Sequence, residues 1–299
     1  MQDLTLREAR LRGRLQALGR VAVAFSGGVD STLLLRLALE TLGRDRVLAV
    51  LADTPSLPRS ERDEALRLAD RLGAPCLTVD PGELDDPVYA ANPPDRCYHC
   101  KRRLFAAIIR AAAERGFTHV LDGNNADDAA DTRPGRRALQ ELGVASPLLE
   151  AELTKAEIRA ISRRLGLPTA DKPALACLAS RIPYGTPVTR AILAQIERAE
   201  EVLHAAGFAL CRVRHHGDVA RIELAPEALP RLLDVTLREQ VTRELRAAGY
   251  RYVALDLQGY RTGSLNSSSQ TSGQQSLPVW KVIRTAASAG VPVSHAKIS

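Results

Sequence analysis

The chain has 299 residues, 45% of them hydrophobic, enough for one large domain or two smaller ones with a buried core. Its 41 Lys and Arg against 35 Asp and Glu leave a net charge of +6, a mild excess that suits an arginine-rich phosphate site as well as nucleic acid. Residues 1–20 are studded with charge, no apolar run nears the roughly 18 residues of a membrane span, and the five cysteines are an odd number; these features argue against a signal peptide, a membrane anchor and a disulfide scaffold, and a reducing cytoplasm is the expected location.

In chain order, apolar runs predict strands over 21–25, 47–52, 76–79 and 118–122, with helices over 32–42, 59–72 and 101–115 between them. The alternation predicts an α/β fold, a doubly wound parallel sheet with helices on both faces. Ligands of such sheets sit beyond the carboxyl ends of the strands, where Asp53, Asp122 and the loop after residue 25 fall. A further helix over 154–165 stops at Gly166 and Pro168. A second unit follows: a helix over 190–206, strands over 209–215 and 219–224 joined at His216-Gly217-Asp218, helical stretches over 227–248 and a last strand over 252–257. The expected organisation is a first domain over 1–186, a small α+β domain over 187–263 and a tail over 264–299. The Ser/Gln/Gly-rich composition from Ser264 to about Ser276 predicts a mobile segment.

The most informative stretch is Phe25-Ser26-Gly27-Gly28-Val29-Asp30-Ser31. A buried strand runs into a glycine turn and then into a helix, which Asp30 or Ser31 is expected to cap. Glycine lets backbone approach a ligand closely, and the free N–H groups of a helix start favour an anion. Ser26 and Ser31 add hydroxyl donors, and Asp30 adds a carboxylate for magnesium. The lysine of the G-x-x-x-x-G-K-[ST] loop is missing. The stretch instead resembles the S-G-G-x-D-S loop of the ATP pyrophosphatases, or PP-loop enzymes, which release pyrophosphate from ATP and leave AMP on an acceptor oxygen.

Cys97 and Cys100 form a C-x-x-C pair, and Cys177 lies in Lys172-Pro173-Ala174-Leu175-Ala176-Cys177. Several readings stand side by side. Zinc would need His99 as a fourth ligand, in an awkward place between the paired cysteines. A thioredoxin-type pair should follow a strand, whereas this one follows Asn92-Pro93-Pro94. Three thiolates can hold an iron–sulfur cluster with one iron open. Alternatively, two of the cysteines are structural and one is reactive. Cys76 and Cys211 fall in strands and are expected to be packed.

Narrower motifs carry a more specific resemblance: Asp122-Gly-Asn-Asn-Ala-Asp-Asp128, Lys172 through Gly185, Arg212-Val-Arg-His-His-Gly-Asp218, Arg221-Ile-Glu-Leu224 and Gly259-Tyr-Arg-Thr-Gly-Ser-Leu-Asn266. Over residues 4–266 the chain resembles the LarE family, sulfur transferases of nickel-pincer nucleotide cofactor biosynthesis. The resemblance implies adenylation of a carboxylate of pyridinium-3,5-biscarboxylic acid mononucleotide, followed by replacement of oxygen with sulfur. In one branch of the family a cysteine matching Cys177 gives up its own sulfur. In the other, three cysteines matching Cys97, Cys100 and Cys177 bind a [4Fe-4S] cluster, and this chain matches that branch. The implied cofactors are ATP, Mg2+ and the cluster; the implied partners are a small-molecule nucleotide substrate, a sulfide donor and further copies of the chain.

Roles are then expected from chemistry. Ser26, Gly27, Gly28, Asp30 and Ser31 hold pyrophosphate, with Asp30 and Asp128 on magnesium. Lys101 and Lys172 reach phosphates, and Asp53 meets the ribose or adenine. Arginine forks suit the substrate's phosphate and carboxylates, so Ser180, Arg181, Arg212 and Arg214 are the phosphate candidates. Arg212 and Arg214 lie two apart on a strand and share a face, where Glu223 is either a substrate contact or a salt-bridge partner. Glu200 and Arg261 join the substrate set by resemblance alone. His215 and His216 point to opposite faces and are expected at the surface or on phosphate. The alternative function is a tRNA thiolase with a cluster. That would need an extended basic surface, and no dense Lys/Arg run is present, so nucleic acid is not the expected partner.

Overall fold

A computed structural model describes residues 2–128, 134–174 and 176–261. The expected mobile tail over 264–299 lies outside the described residues. Helices are α1 (Gln2–Leu18), α2 (Val29–Leu42), α3 (Arg59–Arg71), α4 (Pro87–Ala90), α5 (Arg96–Ala113), α6 (Pro134–Glu141), α7 (Pro147–Glu150), α8 (Lys155–Arg164), α9 (Arg190–Ala205) and α10 (Val235–Ala247). Strands are β1 (Val21–Ala24), β2 (Val47–Ala52), β3 (Cys76–Val79), β4 (His119–Leu121), β5 (Cys211–His216), β6 (Val219–Leu224) and β7 (Tyr252–Leu255).

The first four strands form one parallel sheet in the order β3-β2-β1-β4, with Val21 in register with both Val47 and His119. Alternate side chains of β1 and β2 serve opposite faces. Val21, Val23, Val47 and Ala49 pack with leucines of α1 and α2 and with Ala65 and Leu68 of α3. Ala22, Leu48 and Val50 pack with Phe105, Ile108 and Ala112 of α5 and Leu139 of α6. Helices thus cover both faces, as the strand–helix alternation predicts.

A smaller second domain has a mixed sheet in the order β5-β6-β7. The β5–β6 pair is antiparallel and sets Arg212 opposite Glu223, while β7 joins β6 in parallel. Its apolar face packs on Leu203 of α9 and on Val241 and Leu245 of α10.

Among the places where the structure refines the sequence reading, three stand out. Residues 2–18 form a helix whose Leu11 and Leu15 are fully buried, while Arg7 and Arg14 pair outward with Glu157 and Glu150. The dense charge hides a sparse leucine stripe. Second, α5 begins at Arg96 rather than Lys101, which carries Cys97 and Cys100 into its first turns. Third, the helical stretches expected over 227–248 are a 3-10 piece and an α-helix. Pro230 sits in a 3-10 segment, Pro226–Leu233, and the Asp234 side chain then caps α10 by accepting from the Leu237 N–H at 2.7 Å.

Leu11→Ala is expected to destabilise the fold by about 2–5 kcal/mol, because the buried methyls have no replacement. Urea unfolding checks this, and a change below about 0.5 kcal/mol would mean that α1 does not belong to the core.

Candidate active site

The sheet order reverses between β1 and β4, and a cavity of about 430 Å³ opens beyond their carboxyl ends. The loop after β1 forms one wall. Gly27 has φ +70°, and a Cβ there would lie 2.8 Å from the Cβ of Ala65 on α3, so glycine is required. Ser26 Oγ lies 3.1 Å from Ser31 Oγ, and Ser31 Oγ donates to the Gly28 carbonyl at 3.2 Å. The helix cap differs from expectation. Gly28 holds the N-cap position without a side-chain hydrogen bond, and Asp30 and Ser31 lie inside the first turn of α2. The first N–H groups of α2 are therefore left for a ligand. The loop after β4 closes on the same point: a Cβ on Gly123 would lie 3.2 Å from both Asp30 Cβ and the Ser31 nitrogen.

The acids divide. Asp30 lines the cavity, ion-pairs with Lys155 Nζ, and accepts from Asn125 Nδ2 at 3.3 Å. Asp128 does not line it; its carboxylate accepts the Asn125 N–H at 3.0 Å. The two expected magnesium ligands are thus engaged separately. Asp122 is buried at the end of β4, and that burial pushes its carboxyl pKa up despite hydrogen bonds from Ser146 and the Asn124 N–H. Asp53 turns away from the cavity to Arg59 at 2.5 Å and Arg62 at 2.7 Å. Partial burial works against its charge, but those two arginines hold its pKa below the usual value.

The cations divide too. Lys101 lines the cavity, its ammonium 5.4 Å from the Phe105 ring centre. Lys172 instead bridges Glu61 at 2.7 Å and Glu64 at 2.9 Å, both on α3. Lys155 was not singled out by the sequence reading. The signal was there: Thr154 and Glu157 form a capping box that fixes the first turn of α8, and Lys155 is its first residue.

All three motif cysteines are free thiols. Cys100 and Cys177 line the same cavity, and Cys97 is exposed one turn before Cys100. Burial pushes the Cys100 thiol up, and Glu83, Cys177 and Cys97 add to the shift. Glu83, which sequence reasoning also missed, is buried, accepts the Ser56 N–H at 3.0 Å and lies 3.9 Å from Cys100 Sγ. Cys177 is exposed and lines the cavity. Loss of water there pushes its pKa up; Arg96 and Arg181 oppose that shift and Cys97 adds to it. Among the described residues, no three His, Cys, Asp or Glu side chains lie close enough together to hold a metal ion. His99 pairs with Asp95 at 3.4 Å rather than completing a zinc set. Three thiols are the donor type and number of an iron–sulfur cluster with one open iron, but the structure does not gather Cys97, Cys100 and Cys177 around one point.

The substrate candidates cluster behind Cys177. Arg181 is buried and forks onto Glu200, with both bonds at 2.9 Å. Its remaining nitrogen donates to the carbonyls of Ala176 at 2.7 Å and Cys177 at 3.1 Å, and to Ser180 Oγ at 3.1 Å. Glu200 also accepts the Val213 N–H at 2.9 Å. Arg214 donates to the Ser180 carbonyl at 2.8 Å and pairs with Glu223 at 2.9 Å, so the salt-bridged sheet face is realised for this arginine. Arg212 lines a second cavity of about 180 Å³, shared with Arg181, Glu200 and Lys172. Burial, with Arg181 and Arg214 nearby, lowers its pKa. Arg261 is exposed at the end of the described chain. Two expectations are corrected. His215 is buried, 3.2 Å from the Tyr250 hydroxyl, because it shares the core face of β5 with Cys211 and Val213. Cys76 is exposed, because β3 is an edge strand.

A parallel α/β sheet with a Ser-Gly-Gly-Val-Asp-Ser loop at its switch point defines a PP-loop nucleotide enzyme. The NAD synthase family matches residues 7–111. Pyridinium-3,5-bisthiocarboxylic acid mononucleotide synthase of Lactiplantibacillus plantarum is 43% identical over 89% of this chain and 96% of its own length. An uncharacterized protein of Synechocystis sp. is 43% identical over 86% of this chain and 95% of its own. The tRNA-specific 2-thiouridylase of Desulforamulus reducens is more distant, 28% identical over 52% of this chain and 53% of its own. The chain belongs to the LarE family of ATP-using sulfur transferases.

Glu200→Gln is expected to destabilise the protein by about 3–5 kcal/mol, because it leaves the Arg181 charge buried without its partner. Denaturant unfolding measures this; a loss under about 1 kcal/mol would mean that the pair does not anchor the Cys177 turn.

Proposed function

We propose that this protein adenylates a carboxylate of pyridinium-3,5-biscarboxylic acid mononucleotide with ATP and replaces the activated oxygen with sulfur, giving the thiocarboxylate, AMP and pyrophosphate. One observation carries the reading: the Ser26–Ser31 loop and Cys177 line the same cavity. The relative from Lactiplantibacillus plantarum, named for the bisthiocarboxylic acid mononucleotide, supports the substrate.

The carboxylate oxygen attacks the α-phosphate, and charge builds on the leaving pyrophosphate. The α2 N–H groups, the Ser26 and Ser31 hydroxyls and the ammonium groups of Lys101 and Lys155 stabilise that charge. Asp30, one of the acids on the cavity wall, would meet the Mg2+ that accompanies ATP. Arg181 keeps the Cys177 turn in place through Glu200, so the thiol side of the cavity faces the activated carboxyl. When bound to Cys97, Cys100 and Cys177, a [4Fe-4S] cluster would supply transferable sulfide from its open iron. Arg212 takes the nucleotide phosphate. Copies of the chain associate through the smaller domain, where Leu233, Val235 and Leu257 are apolar and exposed; light scattering should give a multiple of the chain mass, and a monomer at all concentrations would contradict this.

Asp30→Asn is expected to lower pyrophosphate release by about a hundredfold or more. Cys177→Ala should keep that release within about threefold while thiocarboxylate formation falls to background. Loss of both activities in Cys177→Ala would mean that the residue shapes the ATP site rather than delivering sulfur. Anaerobic reconstitution with iron and sulfide should give broad absorbance near about 400 nm that is lost in Cys97→Ala; a colourless wild type would remove the cluster.

A further inference from the structure

The second cavity holds a residue to which no role has yet been given. Gly259 has φ +70°, and a Cβ there would lie 2.7 Å from the Leu224 carbonyl oxygen, so only glycine lets the chain pass this close to the end of β6. The next residue, Tyr260, donates its backbone N–H to that same carbonyl at 2.7 Å. Its ring centre then lies 4.5 Å from the guanidinium carbon of Arg212, and its phenol oxygen accepts from Arg212 Nη2 at 2.8 Å. A phenol that accepts from arginine keeps its own O–H to donate. Both residues line the 180 Å³ cavity behind Cys177.

The charges around this cavity show what it lacks. Its lysine and arginine side chains are Lys172, Arg181 and Arg212; Glu61, Glu197, Glu200 and Glu201 also line it, Glu197 being engaged by the Arg59 N–H. Glu61 and Glu64 neutralise the first, and Glu200 neutralises the second. Among the described residues no carboxylate lies within ion-pair distance of Arg212, although the side chain is largely buried. A buried guanidinium held by a phenol, with a free phenolic O–H beside it, is complementary to an oxyanion.

We infer that Tyr260 is a binding and positioning residue for the substrate's phosphate: its ring and oxygen orient Arg212, and its O–H donates to the phosphate that Arg212 holds. The inference rests on the proposal that Arg212 takes the nucleotide phosphate. It gives the Gly259-Tyr260 pair a purpose, with glycine admitting the chain and tyrosine facing the ligand.

The test measures pyrophosphate release at saturating ATP, using the pyridinium mononucleotide and the corresponding nucleoside without its phosphate. Tyr260→Phe is expected to raise KM for the mononucleotide about tenfold, with kcat and the KM for ATP unchanged. For the nucleoside, kcat/KM of Tyr260→Phe should equal that of the wild type. An unchanged mononucleotide KM, or an equal loss with the nucleoside, would overturn the inference. Arg212→Met separates the two layers. If it raises the mononucleotide KM while Tyr260→Phe does not, only the role of Tyr260 falls. If it leaves that KM unchanged, the phosphate assignment of Arg212 falls as well.

Discussion

The buried fork between Arg181 and Glu200 holds the Cys177 turn, on which the proposed sulfur transfer depends. Arg181 ties Glu200 of α9 to the carbonyls on either side of the Cys177 peptide, and Glu200 in turn takes the N–H of Val213 on β5. A buried ion pair contributes little net stability, because desolvation offsets much of the attraction. Its value here is geometric. It pins the Cys177 turn to α9 and β5, and Cys177 lines the cavity at the end of the parallel sheet.

The other wall follows from backbone constraints. A parallel sheet must place its ligand crevice where the strand order reverses, and β1 and β4 diverge there. Gly27 has no room for a side chain and Gly123 only a tight fit, so the two loops close against α3 and the start of α2. The resulting cradle is built from N–H groups and hydroxyls. Its positive charge comes from outside the loop, from Lys101 on α5 and Lys155 on α8. This division differs from the G-x-x-x-x-G-K-[ST] arrangement, where the lysine belongs to the loop itself.

Much of this was legible in the sequence wherever a role depends on local backbone. The glycine loop, the four parallel strands and the hairpin at Gly217 are set by residues adjacent in the chain. What escaped depends on partners distant in sequence. Lys172 reads as a phosphate ligand until α3 brings Glu61 and Glu64 to it. Asp53 is an exception, held by Arg59 and Arg62, only six and nine positions along the chain, where a loop and the start of α3 bring them to it. Lys155 reads as a helix-start residue until the fold sets it against Asp30, 125 positions away in the chain. Arg212 and Arg214 share a face as their spacing requires, yet only Arg214 is matched by a carboxylate, and no sequence period distinguishes them. The α1 helix was hidden because its buried face rests on few leucines amid many arginines.

The account stands on direct attack of the substrate carboxylate on the α-phosphate inside the cavity shared with Cys177. Isotope transfer tests this at the bond that forms. The pyridinium acid, labelled in its carboxylate with the heavy oxygen isotope, is turned over with ATP and a sulfide source, and the AMP is analysed by mass spectrometry. One labelled oxygen should appear in the AMP phosphate for each thiocarboxylate formed. Unlabelled AMP alongside thiocarboxylate product would contradict adenylation of the carboxylate.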